Sequence, residues 1–325
     1  MSEILQSPFN VIKGISVGPF KLGMPLFEIL KSLDIGPSAT NSAQTYISYN
    51  EEYPTTGRIV IKNLAHSLTL YVDAKKQILI CIEIEHMKVQ LKRSAHEFLV
   101  HTSASPQDQE DTFGKLSTAF NKLKERTINN MTELYDGSIV FQFSGTAEKG
   151  NERKKLGLTK IIIKDDKIEP LNEYGLSFLQ VDIDVLAQSL IVGNIILYHK
   201  EHVEKVTADL GFPQGEKKVN TTGDYFYNYF SRGFDILFDS TTHCIKKFVV
   251  HSNNPSDTFF GNYSKCFFNV KFSNGVIVTP ESLWKELNFK TEDPTLLSDN
   301  IELYQYENCS FEIHSKTSSI LTIFI

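Results

Sequence analysis

The stretch Gly223–Ser252 reads GDYFYNYFSRGFDILFDSTTHCIKKFVVHS. Aromatic residues run from Tyr225 to Phe230, break at Ser231-Arg232-Gly233, and resume as Phe234-Asp235-Ile236-Leu237-Phe238-Asp239. After a polar turn at Ser240–His243, a third apolar run spans Ile245–His251. Short β-rich segments separated by turn chemistry predict an antiparallel meander with tight hairpins. The first segment is aromatic at both parities, so both of its faces should be covered by protein, which predicts a central core strand.

Upstream, Glu201–Leu210 has helical spacing, with Val203 and Val206 set to meet Leu210 before Gly211-Phe212-Pro213. The same order occurs nearer the N-terminus. Leu26, Ile29, Leu30 and Leu33 share one helical face, and the short apolar runs Thr45–Tyr49, Arg58–Leu64, Ser67–Asp73 and Gln77–Glu85 follow. Ser67–Asp73 matches Gly233–Asp239 position for position, and Ile78–Ile84 matches Ile245–His251 after a turn one residue shorter, which suggests an internal repeat. Two fainter copies open on helices expected at Thr112–Leu123 and Pro280–Leu287, the latter with Thr279 as N-cap. The expected fold is α+β, built of tandem helix-plus-antiparallel-β-meander repeats that form two related halves. The expected division is residues 1–170 for the N-terminal half and 171–325 for the C-terminal half, which holds the signature at 223–253.

The strings DYFYNYFSRGFDILFD and THCIKKFVVHSN, together with Gly18-Pro-Phe-Lys-Leu-Gly-Met-Pro25 near the N-terminus, resemble the phagosome assembly factor 1 family. That resemblance implies a non-enzymatic adaptor of autophagy acting at the phagophore assembly site. It also implies a WD-repeat β-propeller partner like the breast carcinoma-amplified sequence 3 protein, with the propeller making the phosphoinositide contact. The matched motifs bring no catalytic, cofactor or partner-binding residues with them.

With 325 residues, 41% of them hydrophobic, the chain is long enough to bury two ordinary domain cores. Its net charge of −6 lacks the positive field that nucleic-acid binding needs. The N-terminus has no basic region ahead of an unbroken apolar run, and no segment has the length of a membrane span, so a cytoplasmic protein is expected. Cys81, Cys244, Cys266 and Cys309 are scattered singly, as expected of reduced thiols serving as small hydrophobes. Neither a metal-binding spacing nor a nucleotide or nucleophile motif is present, and no cofactor is expected.

Two readings compete for the acidic residues of the signature. Asp235, Asp239 and His243 could form an acid/base group, the alternative being that Asp239 caps the turn by accepting backbone N–H bonds. The second is preferred, because Asp73 holds the matching place in the first copy. The basic residues Arg153-Lys154-Lys155 and Lys246-Lys247 would be the places for a phosphoinositide contact. Solvated faces are the plainer reading there, and core packing is the plainer reading of the Tyr225–Phe230 run.

Overall fold

The computed structural model describes residues 9–33, 44–85, 88–93, 96–102, 112–120, 122–145, 156–164, 168, 171 and 178–325. The chain forms two compact units. One comprises Met1–Met24, Ala39–Tyr49 and Arg58–Leu171, and the other Pro25–Ser38, Asn50–Gly57 and Asn172–Ile325.

In the first unit the strands are β1 (Phe9–Ile12), β2 (Ser16–Val17), β3 (Phe20–Lys21), β4 (Thr45–Ser48), β5 (Arg58–Asn63), β6 (Leu68–Asp73) and β7 (Leu79–Glu85). They are followed by β8 (Lys88–Arg93), β9 (His96–His101), β10 (Lys124–Ile128), β11 (Met131–Tyr135), β12 (Ile139–Ser144) and β13 (Leu158–Lys164). The second unit carries β14 (Gln180–Asp184), β15 (Ser189–Val192), β16 (Ile195–Tyr198), β17 (Gly215–Lys218), β18 (Tyr225–Tyr229), β19 (Phe234–Phe238) and β20 (Ile245–His251). Its remaining strands are β21 (Phe267–Lys271), β22 (Ile277–Val278), β23 (Thr295–Ser298), β24 (Ile301–Tyr306), β25 (Cys309–His314) and β26 (Ser319–Phe324). The helices are α1 (Leu26–Ser32), α2 (Thr112–Ala119) and α3 (Val203–Leu210).

Among the described residues each unit has a five-stranded and an eight-stranded sheet. In the first unit the orders are β3-β2-β1-β8-β9 and β10-β11-β12-β13-β7-β6-β5-β4. In the second they are β16-β15-β14-β21-β22 and β17-β18-β19-β20-β26-β25-β24-β23. Counted from its own first strand, the second unit therefore has the strand order of the first in both sheets. Each five-stranded sheet contains one parallel pair, β1 with β8 and β14 with β21.

The local pattern explains the strands. In β6 the apolar Leu68, Leu70 and Val72 are buried and alternate with half-exposed Thr69, Tyr71 and Asp73. In β19, Phe234, Ile236 and Phe238 point into the core of the second unit. There they meet Val181 and Ile183 of β14, Phe268 and Val270 of β21, and Val206 and Leu210 of α3. Both hairpins carry the same irregularity, between Tyr71 and Val72 in one and between Leu237 and Phe238 in the other.

Four expectations are corrected. The fold class is overturned: the protein is 48% strand and only 11% helical, with three short helices and four sheets among the described residues, so it is mostly β and not an α+β helix-plus-meander repeat. The helix expected at Pro280–Leu287 shrinks to a 3-10 turn at Trp284–Glu286. It fails because Leu283 is extended and bridges to Ser319, while the Trp284 N–H donates to the Ser318 carbonyl, which removes the start of a helical ladder.

The aromatic strand β18 is not central either. It lies second from the sheet edge with only Asn228 and Tyr229 buried. Finally, the two hairpin turns are equal in length. Asp73 accepts from Gln77 N–H as Asp239 does from His243 N–H, and Gln77 and His243 share left-handed backbone at φ 52° and 53°. Leu79, not Ile78, thus corresponds to Ile245, each being the partner of the residue after the irregularity.

Candidate functional site

One face of the second unit's eight-stranded sheet packs on the core. On the other, strand register aligns Asn228, Asp235, Val249 and Phe324 in one row, with His251, Thr322 and Glu312 in the next. The chain after β20 returns over this face with Phe259, Gly261, Asn262 and Tyr263, and Phe27 and Lys31 of α1 stand beside it. Together they enclose a groove of about 740 Å³. Gly261 permits the close seating of α1: with φ at 85°, a Cβ there would come within 2.5 Å of Leu30 Cδ1.

The floor of the groove is a buried polar cluster around Asp235. Its carboxylate accepts from the Tyr263 hydroxyl at 2.8 and 2.9 Å and from the Asn228 amide at 2.9 Å, and lies 2.9 Å from His251 Nε2. The His251 and Tyr263 rings stack at 3.9 Å. Burial and the Asp235 charge together push the Tyr263 hydroxyl far above the ordinary phenol range. Burial also raises the carboxyls of Glu312, on the same face, and of Asp257.

Asp235, Asp239 and His243, the residues of the acid/base reading, do not converge on one another. Asp235 is held by Asn228, His251 and Tyr263. Asp239 accepts from the backbone N–H groups of Thr241 and Thr242 and from the Thr242 hydroxyl, and Asp73 caps its own turn through Lys75 and Lys76. His243 pairs with the Tyr225 hydroxyl at 2.8 Å. Lys246 is bound to Asp224 and Asp239, at 2.9 and 3.4 Å. Arg153–Lys155 lie outside the described residues. His251 and Tyr263 were missed by sequence reasoning. Hairpin register alone could have found His251, since Asp235 pairs with its neighbour on the same face, Val249.

The Asp239 cap titrates in acid. Backbone donation from Thr242 and Thr241 holds its carboxyl down at about 2, against about 4 in an unfolded chain. A depressed carboxylate stabilises the fold above the unfolded value, and the contribution disappears as pH falls through the folded one. The melting temperatures of the wild type and Asp239→Ala should therefore differ fully above pH about 5 and converge towards pH 2. A difference independent of pH over that window would refute the cap.

The corresponding face of the first unit is a charged lattice. Lys160 bridges Glu83 and Glu85 at 2.8 and 2.9 Å, and Glu133 joins Arg126 and Gln142 at 2.6 and 2.7 Å. Among the described residues no cluster of three His, Cys, Asp or Glu side chains could hold a metal ion, and no helix is long and apolar enough to cross a membrane. Cys81, Cys266 and Cys309 are buried, and burial pushes their thiols up, to about 11 for Cys81 and about 12 for Cys309.

These features define a mostly β protein of two units with a common strand order, one of which bears an aromatic-walled groove over a hydrogen-bonded polar cluster. The chain belongs to the phagosome assembly factor 1 family, whose sequence model matches residues 16–172 and 210–322. A PHAF1 protein of Arabidopsis thaliana is 25% identical over 97% of this chain and 92% of that protein. Relatives of the same name match locally. One from Drosophila melanogaster is 36% identical over 26% of this chain and 18% of its own length, and one from Caenorhabditis elegans 47% over 14% and 11%. A solved eukaryotic initiation factor aligns with a TM-score of 0.12 at 9% identity over 90% of this chain and 94% of its own, from which no relationship follows.

Proposed function

We propose that this chain acts in phagosome assembly as a non-enzymatic adaptor, working at the phagophore assembly site in complex with a WD-repeat β-propeller protein resembling breast carcinoma-amplified sequence 3 protein. The observation that carries this reading is the family match over most of the chain. The condition of Asp235 supports it: a general base needs a lone pair within reach of a substrate proton, and the Asp235 oxygens are already engaged by three side chains. The common strand order of the two units supports a further reading, that they descend from an internal duplication. Affinity capture of the full chain from its native cells, read by mass spectrometry, should return a β-propeller protein. Repeated capture without one would count against the adaptor.

In this reading membrane contact is indirect, through the partner. Peripheral binding needs several clustered basic groups near an anionic surface. Here acidic residues outnumber basic ones, 39 to 33, and Lys246 is held by two aspartates. Purified chain mixed with phosphoinositide vesicles at physiological salt should remain with the unbound protein on flotation. Tight, headgroup-selective flotation would reverse the model and make the chain itself the lipid-binding module.

A further inference from the structure

Asn274–Gly275 is the one asparagine-glycine pair among the 325 residues. It lies in the three-residue turn Ser273–Gly275 that joins β21 to β22, closed by the Phe272 N–H donating to the Val276 carbonyl at 3.0 Å. Gly275 takes the left-handed backbone that such a turn requires, φ 82°, and all three turn residues are exposed. Glycine in this place also matters chemically. With no Cβ, it leaves its amide nitrogen unshielded from the side-chain carbon of the preceding asparagine, and the space a Cβ would occupy at Gly275 is open.

The same turn is tied down. Asn274 Oδ1 accepts from the Val276 N–H at 2.9 Å, Asn274 Nδ2 donates to the Tyr306 hydroxyl at 3.1 Å, and the Gly275 N–H donates to the Phe272 carbonyl at 3.0 Å. Beside them the Ser273 hydroxyl donates to the Glu307 carboxylate. Tyr306 is itself fixed, its ring stacked on Phe289 at 3.9 Å. The Asn274 amide can meet the Gly275 nitrogen only when these bonds open.

We propose that Asn274 is a site of spontaneous deamidation restrained by the Tyr306 hydroxyl, and that its conversion loosens β22 from the five-stranded sheet of the second unit. Hydroxide takes the Gly275 amide proton, and the nitrogen bonds to Asn274 Cγ. The Cγ–Nδ2 bond breaks, and the departing nitrogen takes a proton from water, which yields ammonia, restores hydroxide and leaves a five-membered cyclic imide. Water then opens the imide at either carbonyl, giving aspartate, or isoaspartate with an extra carbon in the main chain. Both products lose the amide donor to Tyr306 and add a carboxylate near Glu307, and isoaspartate also lengthens the turn. Among the described residues β22 is two residues long and pairs only with β21, so the turn is its main anchor. The assignment stands on the β21–β22 turn and does not require the adaptor reading.

The test ages the full chain for days in warm, mildly alkaline buffer, then digests it with trypsin, whose fragment 272–285 holds Asn274 as its one asparagine. Mass spectrometry should find the amide-to-carboxylate mass gain in that fragment before any other. Tyr306→Phe, which keeps the ring stack, should convert about fivefold faster, the factor that corresponds to one neutral hydrogen bond of about 1 kcal/mol. The synthetic peptide 272–285, free of the fold, should convert faster than the folded chain, and Gly275→Ala should convert more slowly than the wild type. Amide exchange at residues 276–278 should be quicker in the aged protein than in the fresh one. Absence of conversion in the 272–285 fragment, earlier conversion elsewhere, equal rates for peptide and folded chain, a wild-type rate in folded Tyr306→Phe or in Gly275→Ala, or unchanged exchange at 276–278 would each overturn the proposal.

Discussion

Replacing Gly233 with alanine is expected to destabilise the second unit by about 4 kcal/mol, enough to approach the whole stability of an ordinary domain. Gly233 ends the 3-10 turn Phe230–Arg232 in left-handed backbone, φ 76°, and leads directly into β19. A Cβ there would lie 2.3 Å from the Ser264 carbonyl oxygen and 2.6 Å from the Cys266 nitrogen. Both obstacles are backbone, so no rotamer change relieves them. Gly275→Ala is the control: its φ is 82° but nothing lies within 4 Å of the new methyl, and it should cost only about 1 kcal/mol of left-handed strain. Urea unfolding of the two variants separates the contributions, and equal costs would refute the close-approach argument.

The second large effect is expected at Asp235. The residue is 5% exposed and receives three side-chain donors. Asp235→Ala leaves the Tyr263 hydroxyl and the His251 ring without their acceptor and the Asn228 amide with only the Tyr263 oxygen, at a cost of about 3–5 kcal/mol. Asp235→Asn keeps one acceptor oxygen and should lose roughly half as much. Because Tyr263 acts through the same carboxylate, Tyr263→Phe combined with Asp235→Ala should cost less than the sum of the two. Under the adaptor proposal, the Asn variant, where folded, should capture the same proteins from cell extract as the wild type per folded molecule. If it folds normally but loses function outright, chemistry at Asp235 replaces the structural role assigned to it here.

The parts of this fold that could be read from sequence are those in which neighbours in the chain are neighbours in space. The β6–β7 and β19–β20 hairpins follow from alternation and from the aspartates that cap their turns, and Leu68, Leu70, Phe234 and Ile236 are all buried core positions. The five-stranded sheets escaped notice because β2 and β3 are two residues long and β1 finds its parallel partner β8 some 80 residues on. A two-residue strand has no periodicity to detect. The polar cluster was half visible. Asp235 stood out in the signature, but Tyr263 reaches it from 28 residues away in an irregular segment, and no local pattern announces that contact. The two turns look unequal in sequence because Ile78 and Ile245 align by apolar character, whereas backbone pairing aligns Leu79 with Ile245.

The position of β13 and β26 bears on how the protein is made. Among the described residues each is the last strand of its unit, yet each lies inside its sheet, between β12 and β7 in one case and between β25 and β20 in the other. A ribosome therefore releases β7 and β20 long before the strands that cover their open edges exist. Until then each eight-stranded sheet exists as two separate blocks with bare apolar borders, the condition in which nascent β proteins aggregate or call on chaperones. Closure joins segments far apart in sequence, so each unit should fold slowly and only once its final strand has left the exit tunnel.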